Sequence, residues 1–456
     1  MWTHVVVVLT LLIVSPAAAA SSGTEGSSAP ANLPSARPGP GELSGPAAKR
    51  LGKAFDKALS ALDEQRWLEA AEGFERVLQE VDWPEAAFNA ALARYQALDL
   101  GRAAEHAAAA AGGMPRDGQA RWLHAVLLGA VGRHADAEAE AAAAVTAARE
   151  INQDRLLTRS LLQLSSAARL SGRYQAASAA ALEARDVAEA LPDPALTAAA
   201  WVAVGQAALG QGDAARAAEA FSAAGGRADS GMEQELALAS AEDAWRRGAA
   251  AQASEALASA LAGIDSEPQI PLLTRAAMQA RAAPLLWVTG ARVEAARRLD
   301  VAEGVLRPAG ALAAVADIEV VRASWAVAVG EFEEARRLLG AATTTMESLQ
   351  VPVALASARL AQAQLLAEGG DVREAIALAE QAKAVFEATE YAEGRPGAWL
   401  VLAELLGRGG ALADAHTAGL RAIELAVERG DPRQEAAGAA EVAVILARLG
   451  ALPEAN

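Results

Sequence analysis

One segment of the sequence matches a nucleotide-binding motif. Gly210-Gln-Gly212-Asp-Ala-Ala215 fits the pattern G-x-G-x-x-A. In dinucleotide-binding folds the motif follows a β-strand, because its glycines turn the chain from that strand into a helix whose N-terminus holds the pyrophosphate. Here an alanine-rich stretch of helical composition precedes the glycines, so we interpret them as a turn between two helices. The sequence contains no P-loop, G-x-S-x-G or H-E-x-x-H motif.

The histidines and carboxylates do not form a recognisable catalytic or metal-binding pattern. No two histidines have the i, i+4 spacing that a helix-borne metal site needs. They are scattered along the chain, at His4, His106, His124, His134 and His416. The chain has no cysteine, and its 57 acidic residues offer no distinguishable general acid–base pair. We therefore expect a non-enzymatic protein with no catalytic residue, no cofactor and no metal.

Residues suited to binding a partner recur on one face of successive expected helices. All of them except Arg246, which neighbours Trp245, lie 13, 10, 6 or 3 residues before an expected turn, and this spacing places them on a common helix face. Some of them could instead fill gaps between neighbouring units, but aromatic and arginine side chains are common anchors of binding energy. The candidate partner-binding residues are Phe55, Phe88, Leu92, Tyr95, Trp122, Arg169, Gln206, Glu242, Trp245, Arg246, Trp287 and Ser324.

Regularly spaced turns would position this face. A helix that ends in a left-handed residue favours glycine, and nine of the eleven expected turn residues are glycine. Small residues recur five positions after and seven positions before each turn, which allows paired helices to approach closely. The expected turns fall at Gln65, Leu98, Gly132, Gly172, Gly212, Gly248, Gly290, Gly330, Gly370, Gly410 and Gly450.

The unit between Ala195 and Ala224 shows the pattern most clearly. It follows the tetratricopeptide consensus W-x-x-L-G, then G, A and F, with Val204 in place of Leu and Ala208 where the pattern favours Tyr. The matching residues are Trp201, Gly205, Gly212, Ala217 and Phe221. From about Ala47 to the C-terminus the chain resembles the tetratricopeptide-repeat family, with units near 34 residues followed by units near 40. The resemblance implies an all-α, right-handed α-solenoid of about ten helix–turn–helix repeats plus a terminal orphan helix. It also implies that the first helices line a concave groove.

Composition agrees with a helical repeat protein and argues against nucleic acid as a partner. The 456 residues are rich in alanine and only 4% aromatic, which favours helix over strand. The formal charge is −17, with 40 basic residues against 57 acidic ones. A surface that binds phosphates needs concentrated Lys and Arg, so we expect no nucleic-acid binding.

The N-terminus resembles an export signal. Val5 to Val14 is apolar, Ser15-Pro16 interrupts it, and Ala18-x-Ala20 is a possible cleavage site. We therefore expect a signal peptide over residues 1–20, a flexible Ser/Pro/Gly-rich linker over 21–46, and the solenoid over 47–456. The predicted location is periplasmic or otherwise exported. Residues 1–4 lack Lys and Arg, so an uncleaved inner-membrane anchor over residues 5–20 stays open, and it would be the chain's only membrane contact.

Two functional hypotheses follow. The first is an exported scaffold that binds a protein or peptide partner in its concave groove and serves the assembly of a bacterial cell-envelope machine. The second is a regulatory, effector-sensing protein that acts through a separate partner chain.

The sequence also begins a second helix after Gly450 and then stops, so the preceding helix either covers the array or permits self-association.

Overall fold

The computed structural model describes residues 39–42, 44–226, 230–389 and 391–450. The predicted signal peptide and most of the predicted linker lie outside the described residues. Within those ranges the chain is helical and contains no strand. None of the described helices combines the length and apolar character needed to span a bilayer.

Twenty-one α-helices follow a short 3-10 helix at Pro40–Glu42 in the described ranges. They are α1 Gly45–Asp63, α2 Trp67–Leu78, α3 Pro84–Gln96, α4 Leu100–Gly113, α5 Gly118–Ala130, α6 His134–Glu150, α7 Asp154–Leu170, α8 Tyr174–Glu189, α9 Pro194–Gly210, α10 Ala214–Ala224, α11 Ser230–Arg246, α12 Ala250–Ser266, α13 Leu272–Val288, α14 Arg292–Ala309, α15 Leu312–Val329, α16 Phe332–Ser348, α17 Pro352–Glu368, α18 Val372–Ala388, α19 Gly394–Arg408, α20 Leu412–Glu428 and α21 Pro432–Leu449.

Consecutive helices pack as pairs, and successive pairs stack on one another. Each odd-numbered helix from α1 to α19 packs against the even-numbered helix that follows it, and α21 packs against α20. The predicted α-solenoid is confirmed. Its core is therefore a continuous ribbon of contacts between neighbours, as expected for repeat proteins. Pro284 does not end its helix, since α13 continues to Val288.

All eleven expected turn residues have a left-handed backbone. The nine glycines have φ between 80° and 96°, and Gln65 and Leu98 have φ of 59° and 62°. Further positive φ values occur at Asn152, Gly310 and Gln350, where one pair connects to the next. These residues stop each helix and let the chain reverse onto it.

The recurrent small residues lie where paired helices meet. The alanines five positions after the turns, from Ala70 to Ala415, are at most 2% exposed. In the pair α7–α8, the Ser165 hydroxyl donates to the Ala177 carbonyl at 2.8 Å. A Cβ atom added to Gly205 would lie 2.5 Å from the Phe221 ring. Larger residues at these positions would force the helices apart.

The solenoid curves far enough for distant pairs to touch. A Cβ atom at Gly132 would lie 2.8 Å from the Cβ of Ala313, and one at Gly212 would lie 2.9 Å from that of Ala392. Gly172 meets Val353 in the same way. We call this contact the seam: the turns at positions 132, 172 and 212 and the end of α11 at Trp245, together with the later segments that they touch.

Polar contacts also cross the seam. The Ala392 amide donates to the Gly210 carbonyl at 3.1 Å. Arg433 Nε donates to the Trp245 carbonyl at 2.6 Å, across 188 residues of sequence. The Arg433 guanidinium also lies 3.5 Å from the centre of the Trp245 ring, a favourable cation–π geometry. The seam therefore contains directional bonds as well as apolar contact.

Candidate functional site

The solenoid forms a partly open cavity of about 400 Å3 behind the seam. Its wall is built mainly by the odd-numbered helices from α7 to α21, the first helices of successive pairs. Apolar side chains such as Leu209, Leu285 and Val353 share this wall with charged ones. A concave space of this size, mostly apolar with a few polar groups, is typical of a ligand site.

Five of the twelve predicted partner-binding residues line the cavity: Arg169, Gln206, Glu242, Trp245 and Arg246. They come from α7, α9 and α11, so three successive first helices supply them. The spacing on each helix face, together with the stacking of the pairs, brings these side chains to one space.

The five predicted residues nearest the N-terminus lie outside the cavity. The Phe55 ring stacks on Trp83 with centroids 4.5 Å apart and meets the edge of Phe74 at 5.3 Å. Trp122 is 4% exposed. The other three, Phe88, Leu92 and Tyr95, pack in or against the same large hydrophobic cluster as Trp122. These side chains fill the space between neighbouring pairs.

Trp287 and Ser324 also lie outside the cavity. The Trp287 ring stacks on Trp325 with centroids 4.4 Å apart and planes 5° from parallel. The Ser324 hydroxyl donates to the Val321 carbonyl of its own helix at 2.6 Å. The tryptophan stack belongs to the packing of α13 against α15, and the serine bond lies within α15. Neither residue is part of the cavity wall.

A buried ion network forms one side of the cavity. Arg281 pairs with Glu235 and also donates to both carboxylate oxygens of Glu242, at 2.6 and 2.7 Å. Burial opposes the charge of Arg281, but the two carboxylates outweigh it and raise the pKa of its guanidinium. Gln206 Nε2 donates to Glu235 at 3.3 Å. The network thus ties α9, α11 and α13 together.

A second cluster joins the seam to the cavity. The rings of Tyr174 and Tyr391 stack with centroids 5.0 Å apart. The Tyr391 hydroxyl donates to Glu393 at 3.0 Å. Burial raises the pKa of the Glu393 carboxyl, so that carboxyl is easier to protonate than one in water. Tyr391 and Glu393 lie on the segment between α18 and α19, whereas Tyr174 begins α8. Only the closure of the solenoid brings the two regions together.

Three cavity residues are ionisable and lack such partners. Burial and the charge of Arg169 lower the pKa of His134 to about 4, which leaves the imidazole neutral near pH 7. Burial raises the pKa of Asp317 to about 8. Burial also lowers the pKa of the Arg169 guanidinium. Of the described residues, no group of three or more His, Asp and Glu could hold a metal ion.

Sequence reasoning missed several residues of the cavity. Arg281 falls nine positions before its turn, off the selected helix face, and Asp317 falls on that face but was not selected. Tyr391, Glu393 and Arg433 lie between pairs or at the start of α21. A local repeat pattern carries no signal for these last three, since their place depends on the overall curvature.

Comparisons with known proteins show a likeness of fold. No family description and no curated protein sequence matches the chain. A Rap protein, in a crystal structure complexed with competence and sporulation factor, superposes with a TM-score of 0.50 at 13% identity over 65% of this chain and 87% of that one. Yeast Tom70 gives 0.39 at 14% identity, over 89% and 90% of the two chains.

A signal transduction ATPase with a tetratricopeptide repeat sensor, from Pyrococcus horikoshii, gives a TM-score of 0.42 at 11% identity, over 69% of this chain and 50% of that one. At these identities the likeness concerns the fold. The helical pairs of this chain are tetratricopeptide-like repeats.

Proposed function

We propose that this chain is a non-enzymatic binding protein that holds a short segment of a protein or peptide partner inside the cavity. The observation that carries the proposal is the cavity itself. Successive first helices surround it with apolar side chains and a few charged ones. An extended peptide presents apolar side chains and polar backbone together, so it complements such a wall better than a folded surface does.

The structural comparison supports a binding role. The Rap protein whose fold this chain shares in part was crystallised with competence and sporulation factor. That ligand belongs to the Rap protein. For the present chain, the cavity residues carry the argument, and the comparison adds that a similar helical repeat has been found with a bound factor.

Site-specific photocrosslinking tests this proposal. A photoreactive amino acid would replace Gln364, which lines the cavity, or Phe55, which lies in the N-terminal packing. Illumination in native cells, followed by mass spectrometry of the adducts, identifies the crosslinked segment by its sequence. We expect a defined peptide adduct from position 364 and none from position 55.

The opposite pattern would contradict the proposal. Adducts from position 55 alone would place partner binding at the N-terminal aromatic residues. Reaction with water alone at both positions, in cells that contain folded protein, would reject a bound segment in the cavity.

We further propose that the chain is exported and serves the assembly of a cell-envelope machine; the sequence of the N-terminus supports the export. The apolar stretch from Val5 to Val14 and the Ala18-x-Ala20 site are typical of a signal peptide. Edman sequencing of the native protein should give a mature chain that begins at Ser21. A cytoplasmic protein that retains Met1 would reject this part of the proposal.

An effector-sensing role is the second candidate, and the seam favours it. A ligand that fits only one arrangement of the seam would shift the population toward that arrangement, and a separate partner chain could read the change. Hydrogen exchange at the Ala392 amide, measured with and without bound ligand, tests the coupling. Unchanged exchange at saturating ligand would reject it.

A further inference from the structure

Two ionisable side chains of the described residues reach the cavity without a hydrogen-bond or ion-pair partner in the protein. In the described part of the chain, no hydrogen bond or ion pair involves the guanidinium of Arg169, and its Nη2 atom is buried. The carboxyl group of Asp317 is also without a hydrogen bond or ion pair there, and this residue is only 6% exposed. Buried groups of this kind are normally paired, because leaving them unpaired is costly.

The other charged groups of the cavity wall do have protein partners. Glu242 pairs with Arg281, and Glu393 accepts from Tyr391. Further pairs are Glu404 with Arg408, Asp431 with the Gln434 amide, Arg246 with Asp243, and Arg433 with the Trp245 carbonyl. Of the described residues, Arg169 and Asp317 thus provide the uncommitted positive group and the uncommitted carboxyl of the wall.

The two groups line the same cavity from opposite sides of the seam. Asp317 follows Ala313 by one helical turn, and Ala313 lies against Gly132. His134 comes two residues after that glycine, and the charge of Arg169 acts on its imidazole. His134 lines the same cavity, and its neutral ring adds no competing charge. Leu170, Leu285 and other apolar side chains complete the wall.

We propose that the cavity binds a zwitterion with an apolar body, such as an amino acid or a short peptide, with its carboxylate at Arg169 and its ammonium group at Asp317. The inference rests on the proposed function only in taking the cavity as the binding chamber, and it adds the chemistry of the ligand. A guanidinium suits a carboxylate because it offers parallel donors to two oxygens. An ammonium group beside Asp317 favours the ionised form of that carboxyl, and the two then attract each other more strongly in a low-dielectric wall than in water.

A peptide whose charged ends can be blocked one at a time tests the assignment. The tripeptide Leu-Ala-Leu would be prepared in four forms: with both ends free, N-acetylated, C-amidated, and blocked at both ends. Isothermal titration with the full chain gives the affinity of each form. We expect the free tripeptide to bind most tightly, and each blocked end to weaken binding about tenfold or more, the usual effect of losing a charged hydrogen bond.

Variants assign each end to its residue. In Arg169→Gln the difference between the acid and the amide should disappear, and in Asp317→Asn the difference between the free and acetylated amine should disappear. Arg159→Gln and Glu319→Gln are matched controls: Arg159 is half-buried beside Trp122, and Glu319 is buried and paired with Arg307. Both controls lie outside the cavity and should keep the preferences of the natural chain.

A length series separates the two possible ligands. Leucine, Leu-Ala and Leu-Ala-Leu differ in the distance between their charged ends. The tightest binder identifies an amino acid or a peptide as the source, and either result supports the proposal. Equal affinity of all four tripeptide forms would overturn the charge assignment while leaving the cavity as a peptide site. Absence of binding by every form, in protein with native circular dichroism, would overturn this inference and count against the proposed function too.

Discussion

The two ends of the array use the same repeat positions in different ways. In α1 to α5, the residues on the selected helix face are aromatic and apolar, and they are consumed by packing between pairs, as in the stack of Phe55 on Trp83. In α7, α9 and α11, the same face carries Arg169, Glu242 and Trp245, which reach the cavity. One face therefore becomes core at one end and part of the cavity wall in the middle.

The difference lies in what stands opposite each face. The middle pairs face later pairs across the seam, so their side chains border the partly open cavity. A charged group in that space is useful because a ligand can pair with it, whereas at the N-terminal end aromatic contact adds packing energy. Curvature, which no single repeat encodes, decides between these roles.

The largest expected effect concerns the buried ion network. Arg281→Gln removes the partner of both Glu235 and Glu242, and stranding buried carboxylates should lower the free energy of unfolding by about 3–5 kcal/mol. Urea denaturation of the full chain measures the loss. Arg337→Gln breaks an exposed pair with Glu334 and should lower the free energy of unfolding far less, because water screens an exposed ion pair. Equal losses would show that the middle of the array is no more dependent on buried charge than its surface.

Asp317 should make the middle of the array sensitive to pH. Its pKa is about 8 in the fold against 3.8 for the free side chain. The folded protein therefore holds a proton that the unfolded chain releases, and stability falls as pH rises between these values. Asp317→Asn removes this dependence, so its stability relative to the natural chain should increase by roughly 2 kcal/mol from pH 5 to pH 7.

The same comparison in Glu319→Gln supplies the control for this pH effect, because that acid is paired with Arg307. His134 titrates alike in all three proteins and cancels from the difference. A relative stability of Asp317→Asn that stays flat with pH would contradict an uncharged Asp317.

Removing an N-terminal aromatic contact should lower the stability of the protein without changing its affinity for the ligand. Phe55→Ala removes the stack on Trp83 and should lower the free energy of unfolding by about 2 kcal/mol, less than for a fully buried ring because Phe55 is half-buried. Tripeptide affinity should not change. Trp245→Ala, at the cavity, should weaken that affinity several-fold. Loss of binding in Phe55→Ala would refute the division between the two ends.

Replacing a seam glycine with alanine should destabilise the fold slightly more than replacing another turn glycine. Gly132→Ala and Gly330→Ala place a side chain at φ of 92° and 84°, so both carry similar backbone strain, about 1 kcal/mol. At Gly132 the new methyl group also meets Ala313, whereas it meets nothing within 4 Å at Gly330. In Gly132→Ala we expect the free energy of unfolding to fall by about 1 kcal/mol more than in Gly330→Ala. Hydrogen exchange of the Ala392 amide should become faster in Gly132→Ala alone.

The sequence predicted the repeat far better than the site. The turn glycines and the small residues at fixed distances act locally, through backbone sterics and helix approach, so their periodicity can be read directly. The pairing of Tyr174 with Tyr391, or of Arg433 with Trp245, depends on the sum of small rotations between pairs. Likewise, periodicity placed Trp122 and Trp245 on one face and could not tell which of them faces a neighbour and which faces a cavity.

Closure of the solenoid is the central claim, and cysteine crosslinking tests it most directly because the chain contains no natural cysteine. Residues 212 and 392 are distant in sequence, but their Cβ positions lie close enough for a disulfide after a small adjustment. The double variant Gly212→Cys/Ala392→Cys should crosslink rapidly under mild oxidation and run faster on a non-reducing gel. The control Gly330→Cys/Ala392→Cys should stay reduced. Crosslinking of the first pair no faster than the control would contradict a closed seam and the cavity that depends on it.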